Sequence, residues 1–235
     1  MRIYVPLDKI SLNSAITLDQ EKSHYLTSVM RCAVGDYLTV INGKGKAYDA
    51  EITSILKKDV SILIKSELPN DSESAISIVL CQAILKGSKM DMVIQKAVEL
   101  GVKKIIPLIS ERCLVKDTRK TPRWNKIAEE AAEQCGRAYI PEVSEPKLLS
   151  DFLNESEKLT GLIFWEQGGA PIQKNLSGFS ANELYIVIGP EGGFSVYEVL
   201  EAEKHGLIRT TLGKRILKAD TAAIASLAII QNLLE

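Results

Sequence analysis

The residues most able to do chemistry lie in Tyr185-Ile-Val-Ile-Gly-Pro-Glu-Gly-Gly-Phe-Ser195, an apolar strand-like run that passes straight into a glycine-rich loop. Gly189, Gly192 and Gly193 permit positive φ and let backbone amides approach a ligand, and Pro190 fixes the bend. Ser195 and Glu198 have the spacing of a capping box, which predicts a helix starting at that point. Capping explains those two residues without a ligand; it does not explain Glu191, a carboxylate set between glycines. The pattern is neither G-x-G-x-x-G nor G-x-x-x-x-G-K-[ST], which disfavours a dinucleotide or nucleoside triphosphate site. A second loop, Leu212-Gly213-Lys214-Arg215-Ile216-Leu217, follows the next strand-like run. Two loops at neighbouring strand ends would converge on one pocket, where open α/β sheets bind ligands.

Positioning such loops requires a sheet. Apolar runs at Ile76–Ala83, Ile105–Ile109, Leu162–Trp165, Tyr185–Ile188 and Ile208–Leu212 alternate with helical stretches, which predicts a mostly parallel sheet with helices on both faces. Thr121 before Pro122 reads as an N-cap followed by proline at the first helical position. The last helix, Thr221–Leu234, is apolar almost all round and must be buried on more than one side, inside the fold or against another subunit. Trp124 and Trp165 read as core residues.

Before about residue 70 the pattern differs. Short alternating strands at Ile3–Val5, Tyr37–Ile41, Ala47–Ile55 and Val60–Ile64 predict a small β-barrel, with Asn42-Gly-Lys-Gly45 as the hairpin turn between two of them. One amphipathic helix, Gln20–Met30, would bury Tyr25, Leu26, Val29 and Met30. The polar stretch Pro69-Asn-Asp-Ser-Glu-Ser74 marks a boundary between domains at 1–70 and 74–235.

The chain has 235 residues, 46% apolar, with 29 Lys+Arg against 30 Asp+Glu, which excludes disorder and collagen-like composition. No apolar run reaches membrane-spanning length, and the N-terminus resembles no signal peptide, so a cytoplasmic location is expected. Cys32, Cys81, Cys113 and Cys135 have no C-x-x-C spacing and read as buried thiols. No residue set suggests a metal. Charge is locally uneven: residues 112–126 hold Arg112, Lys116, Arg119, Lys120, Arg123 and Lys126 against Asp117 alone, and residues 209–218 hold Arg209, Lys214, Arg215 and Lys218 with no acid. Each run is either a solvated face or a phosphate contact.

Taken in order, His24-Tyr-Leu-Thr-Ser-Val-Met-Arg31, Lys86-Gly-Ser-Lys-Met-Asp91, Gln95-Lys-Ala-Val-Glu-Leu-Gly101, Ser110-Glu-Arg112, Glu130-Ala-Ala-Glu-Gln-Cys-Gly-Arg137, Gly189-Pro-Glu-Gly-Gly193 and Leu212-Gly-Lys-Arg-Ile-Leu217 resemble the RsmE family of bacterial ribosomal RNA methyltransferases, in the SPOUT superfamily. The resemblance runs nearly the whole length. It implies a PUA-like barrel followed by a SPOUT domain with a C-terminal trefoil knot, a homodimer, and transfer of a methyl group from S-adenosyl-L-methionine to N3 of one uridine in 16S ribosomal RNA. Carried over by position, the donor would lie against Glu166, Gly189, Pro190, Glu191, Gly192, Gly193, Leu212, Gly213, Arg215, Ile216, Leu217, Thr221 and Ala222. RNA would meet Arg31, Lys86, Arg112, Arg119, Lys120 and Arg123. Catalysis would fall to Arg137 or Arg215, stabilising the uracil anion, with Glu191 orienting substrate or donor. Where the family usually has Arg, Thr and Glu, this chain has Lys218, Ala219 and Asp220, so a threonine hydroxyl is lost. The alternatives are another SPOUT methyltransferase, acting on tRNA or a ribose 2′-O, and a non-catalytic RNA-binding assembly factor.

Overall fold

The computed structural model describes residues 1–57, 59–69, 72–74, 76–116, 118–155 and 158–234. The chain divides into two units, residues 1–73 with 132–140, and residues 74–131 with 141 onward. Asn70 and Asp71 of the boundary stretch, and Asp117, lie outside the described residues.

In the first unit, β1 (Arg2–Tyr4), β2 (Ala15–Thr17), β3 (Tyr37–Ile41), β4 (Ala47–Leu56) and β5 (Asp59–Leu68) form one sheet in the order β1-β3-β4-β5-β2. β1 runs parallel to β3, and the other neighbours are antiparallel. Alternation puts Leu38, Val40, Ala50, Ile52, Ile62 and Ile64 into one core. At the hairpin turn the Asn42 Oδ1 accepts from the Lys44 and Lys46 N–H groups at 2.8 and 3.0 Å, and Gly43 takes φ +70°. β2 is too short to leave a periodic signal in the sequence.

The helix expected over residues 20–30 is different. Asp19 caps α1 (Gln20–His24) by accepting the Lys22 N–H at 2.8 Å, and a π-helical turn over Tyr25–Val29 follows. Of the four residues assigned to a buried face only Leu26 is buried; Tyr25, Val29 and Met30 are exposed. The wider turn, closed by the Met30 N–H on the Tyr25 carbonyl, takes residues three and four apart out of line. Residues 132–140, placed in the second domain from sequence, join the first unit, where Ala138 packs on Ile41 and Ala47.

The second unit contains β6 (Ser77–Ala83), α2 (Lys89–Glu99), β7 (Lys104–Ile109), α3 (Thr121–Cys135, from residue 132 grouped with the first unit), β8 (Glu142–Val143), β9 (Lys147–Leu148) and α4 (Leu149–Asn154). It continues with β10 (Gly161–Phe164), β11 (Ala170–Pro171), α5 (Ile172–Asn175), β12 (Glu183–Ile188), α6 (Val196–Lys204), β13 (Leu207–Thr211) and α7 (Ala219–Leu234). The strands form a parallel sheet in the order β11-β13-β10-β12-β6-β7-β8, with β9 beside β7. On one face Val79, Cys81, Val187 and Leu207 pack with Phe152 and Leu153 of α4 and Val199 and Ala202 of α6.

Helices α2 and α7 pack on each other, and Met90, Val93, Ile94, Leu227 and Ile230 are at most 1% exposed. Each such aliphatic side chain contributes about 1.5–3 kcal/mol. Helix α7 buries Ala223, Ser226, Leu227, Ile230 and Gln231, while Ala228 and Leu233 are exposed. Three local expectations change. Helix α7 begins at Ala219; the Thr121 hydroxyl donates to Glu145 Oε2 at 2.9 Å instead of capping; and of the four cysteines only Cys81 and Cys113 are buried, Cys135 being exposed. Trp124 and Trp165 are buried.

Candidate active site

Strands β10, β12 and β13 are adjacent and parallel, so the loops that leave them meet at one end of the sheet. There they line a cavity of about 460 Å³, within the range of small-molecule sites. Its apolar walls include Phe164, Trp165, Ile188, Leu212, Leu217, Ala219 and Ala222, and its polar side chains include Lys89, Glu166, Glu191, Arg215 and Lys218.

The glycine loop is held from several directions. Its turn closes with the Gly193 N–H on the Pro190 carbonyl at 2.9 Å. Gly193 takes φ +66°, and a Cβ built there would lie 3.0 Å from Glu166 Oε1. Phe194, 1% exposed, is buried beneath the loop, and its carbonyl accepts from Trp165 Nε1 at 3.3 Å. The capping box forms: Glu198 N–H donates to Ser195 Oγ at 3.3 Å, and Ser195 N–H to Glu198 Oε2 at 2.8 Å. The other Glu198 oxygen accepts from the Glu111 N–H at 2.8 Å. Arg112 Nη1 donates to the Gly192 carbonyl at 3.1 Å.

Glu191 Oε1 accepts from the Lys86 N–H at 3.1 Å and from Lys89 Nζ at 3.3 Å. Partial burial pushes this carboxyl up, but its own N–H, the Lys86 N–H and the Lys89 ammonium outweigh that and hold it below the ordinary carboxylate value. At neutral pH it is an anion that anchors the loop, and a poor base.

Of the donor-contact residues read from the sequence, Glu166, Gly189, Pro190, Glu191, Gly192, Gly193, Leu212, Gly213, Arg215, Ile216, Leu217 and Ala222 line this cavity. Thr221 does not: it is exposed in the first turn of α7. The buried wall residue at the altered motif is Ala219, so the missing hydroxyl is missing from the cavity itself. Ala219→Thr is expected to tighten donor binding by roughly three- to tenfold, the value of one net hydrogen bond, and titration calorimetry checks it.

Arg137, expected to share in catalysis, is not among the residues that line this cavity. It is 3% exposed and belongs to the first unit, where its Nε and Nη2 fork onto Glu73 at 3.2 and 2.7 Å and its guanidinium lies 5.9 Å from the Tyr139 ring. A buried guanidinium committed to a carboxylate holds structure together. Arg215 is the remaining candidate. Arg31 is exposed in the first unit with φ +57°, outside the cavity-lining set. Arg112 turns part of its guanidinium to the loop, and Lys86 serves it through its backbone. Arg119 and Lys120 are exposed, and Arg123 forks onto Asp91 Oδ2 at 2.9 and 3.1 Å while Trp124 Nε1 donates to Oδ1 at 3.1 Å.

Lys89, Thr210, Thr211 and Lys218 are cavity residues that sequence reasoning missed. Lys89 lies inside the Lys86–Asp91 motif, but only the β6–β12 pairing brings that loop to Glu191. Among the described residues no group of three His, Cys, Asp or Glu side chains can hold a metal ion, and no helix is long and apolar enough to cross a membrane.

Residues 72–231 match the model of an RNA methyltransferase domain, and residues 18–65 that of an RNA methyltransferase PUA domain. The ribosomal RNA small subunit methyltransferase E of Buchnera aphidicola (subsp. Schizaphis graminum) is 34% identical over 98% of this chain and 95% of its own. The Neisseria gonorrhoeae ribosomal RNA small subunit methyltransferase E, solved bound to S-adenosyl methionine, is 34% identical with a TM-score of 0.89, covering 99% of this chain and 97% of that one. A Legionella pneumophila methyltransferase solved with the cofactor SAM is 37% identical, again with a TM-score of 0.89, over 98% of this chain and 96% of that one. Matched in both its units and along its whole length, the chain belongs to the ribosomal RNA small subunit methyltransferase E family.

Proposed function

We propose that this chain transfers a methyl group from S-adenosyl-L-methionine to N3 of one uridine in 16S ribosomal RNA, acting in the cytoplasm as a homodimer. The observation that carries the reading is the donor cavity in a chain whose relatives share its full length. The residues present fit the donor. Apolar walls from Trp165, Leu212 and Leu217 suit a flat purine, backbone amides of two glycine loops suit its polar edge, and Glu166 against Gly193 suits a cationic centre. When bound, the donor supplies an electrophilic sulfonium methyl. The protein's part is to hold that methyl against N3, exclude water, and stabilise negative charge on the uracil with Arg215, while Glu191 keeps the loop in place.

The C-terminal segment threaded as a trefoil knot is part of this proposal and rests on family membership, the strand order β13-β10-β12 being compatible with it. The apolar residues that α7 leaves outward, Ala225, Ala228, Ile229 and Leu233, support burial against a second copy. The PUA-type first unit, with exposed Arg31, supports a further RNA contact besides those of the second unit.

Mass analysis of small-subunit RNA from a strain lacking the protein tests the reading: one methylated uridine is lost and returns with the purified enzyme. A missing methyl on tRNA or on a ribose would overturn it. Replacing Arg119, Lys120 and Arg123 together with alanine is expected to flatten the log–log salt dependence of RNA binding by about two units, one each for Arg119 and Lys120. Arg123 contributes less because Asp91 already holds it.

A further inference from the structure

A second cavity of about 280 Å³ lies at the C-terminal end of β7, between α4 and α6. Its walls are the apolar residues Ile109, Leu149 and Leu153, and at its edge the Tyr197 ring stands 71% exposed. One carboxylate ties this cavity to the donor loop. Glu198 lines it and accepts both the Ser195 N–H, at the end of the glycine loop, and the Glu111 N–H, at the cavity, each at 2.8 Å. The next residue, Arg112, donates to Gly192. An occupant of this cavity is therefore held on the same frame that holds the donor loop.

The lining joins a flat apolar wall to one ammonium, Lys116, and three carboxylates, Glu111, Glu198 and Glu201. Lys116 lines the cavity, and Arg119 and Lys120 follow it exposed and without a side-chain ion pair among the described residues. Glu198 accepts two backbone N–H groups, and Glu201 is paired with Lys204 at 2.8 Å. Neutral N–H donors leave the Glu198 charge in place, so it is the Lys116 side of the rim that suits a phosphate. The Glu111 carboxylate is left as an acceptor suited to the exocyclic amine of a base. Single-stranded RNA presents this combination: unstacked bases that lie on aromatic rings, each carrying a phosphate.

We propose that this cavity binds a nucleobase of the substrate RNA beside the methylated uridine, stacked on Tyr197 with its phosphate on Lys116; the proposal rests on the RNA methyltransferase reading above. It makes Tyr197 a substrate-binding residue outside the motifs that carry the family resemblance. Tyr197 is exposed, so its replacement leaves the core intact.

The test is steady-state methylation of small-subunit RNA with donor affinity measured alongside. Tyr197→Ala is expected to raise KM for RNA roughly tenfold with S-adenosylmethionine affinity unchanged, and Tyr197→Phe to restore most of the loss, since stacking needs the ring and not the hydroxyl. Substrates carrying a single abasic position then locate the base: one position weakens the wild type about tenfold and leaves Tyr197→Ala no weaker. A wild-type KM in Tyr197→Ala, or abasic losses that add to it at every position, would overturn the proposal while the parent reading stands. A wild-type enzyme that binds S-adenosylmethionine but methylates no small-subunit RNA would overturn the parent reading and this proposal with it.

Discussion

Gly193→Val is expected to lower affinity for S-adenosylmethionine by more than about a hundredfold, a change near 2.7 kcal/mol, in a chain that still folds. The left-handed φ of +66° at Gly193 is costly for a β-branched residue, by roughly 1–3 kcal/mol. The added Cβ would also press on the Glu166 carboxylate at 3.0 Å, and a moved Glu166 no longer lines the cavity as it does now. Relief comes from displacing the tip of the loop, which Arg112, Lys86 and Lys89 hold at the rim, while its two ends stay tied to the sheet through Gln82 on the Gly189 carbonyl and Trp165 on the Phe194 carbonyl. Binding therefore suffers more than folding. Titration calorimetry reads the affinity and a circular-dichroism melt reads the fold. Gly193→Asn, which tolerates the left-handed region better, is expected to lose less. Wild-type affinity in the valine variant would remove the glycine loop from the donor site.

Arg215→Lys is expected to slow single-turnover methylation roughly a hundredfold while donor affinity changes only a fewfold. With N3 as the proposed acceptor, loss of its proton spreads negative charge over the uracil oxygens, and a planar fork of N–H donors matches that anion better than an ammonium does. Arg215 lines the cavity, whereas Arg137 is committed to Glu73, so Arg137→Lys is expected to cost stability first.

The pH profile separates the two possible origins of the base. Glu191 has a depressed folded value, so its anchoring contribution is present above the ordinary carboxylate value and lost only as pH falls through the depressed one. It does not titrate between about pH 6 and 8. A rate that climbs with pH across that window, in the wild type and equally in Glu191→Gln, reports proton loss from the substrate. A flat profile, with chemistry abolished in Glu191→Gln while RNA and donor still bind, would instead make the carboxylate the base.

Features whose causes lie close together along the chain were legible in the amino-acid sequence. The run into the glycine loop, the capping box at Ser195 and Glu198, and the hairpin at Asn42–Gly45 each depend on a few consecutive residues, and each stands where the pattern put it. The alternation of apolar runs with helices pointed to the parallel sheet, because strands buried on both faces need a continuous apolar run. The π turn after α1 was not legible. One extra residue in the hydrogen-bonded ring leaves composition and spacing unchanged yet turns Tyr25, Val29 and Met30 to solvent.

By itself the sequence determined the two-part organisation, the strand-to-loop elements and the resemblance that names the chemistry, since these rest on local conformational preference and on ordered motifs. Tertiary structure alone decided which partner each charged side chain takes. Arg137 meets Glu73 across 64 residues, Arg112 meets the Gly192 carbonyl across 80, and Lys89 meets Glu191 across 102. A guanidinium or ammonium carries no mark in its own neighbourhood of whether it will end beside a carboxylate, a carbonyl or solvent. That choice is set by through-space approach when strands far apart in sequence pair, and for buried Arg137 the cost of leaving a charge unpaired then holds it.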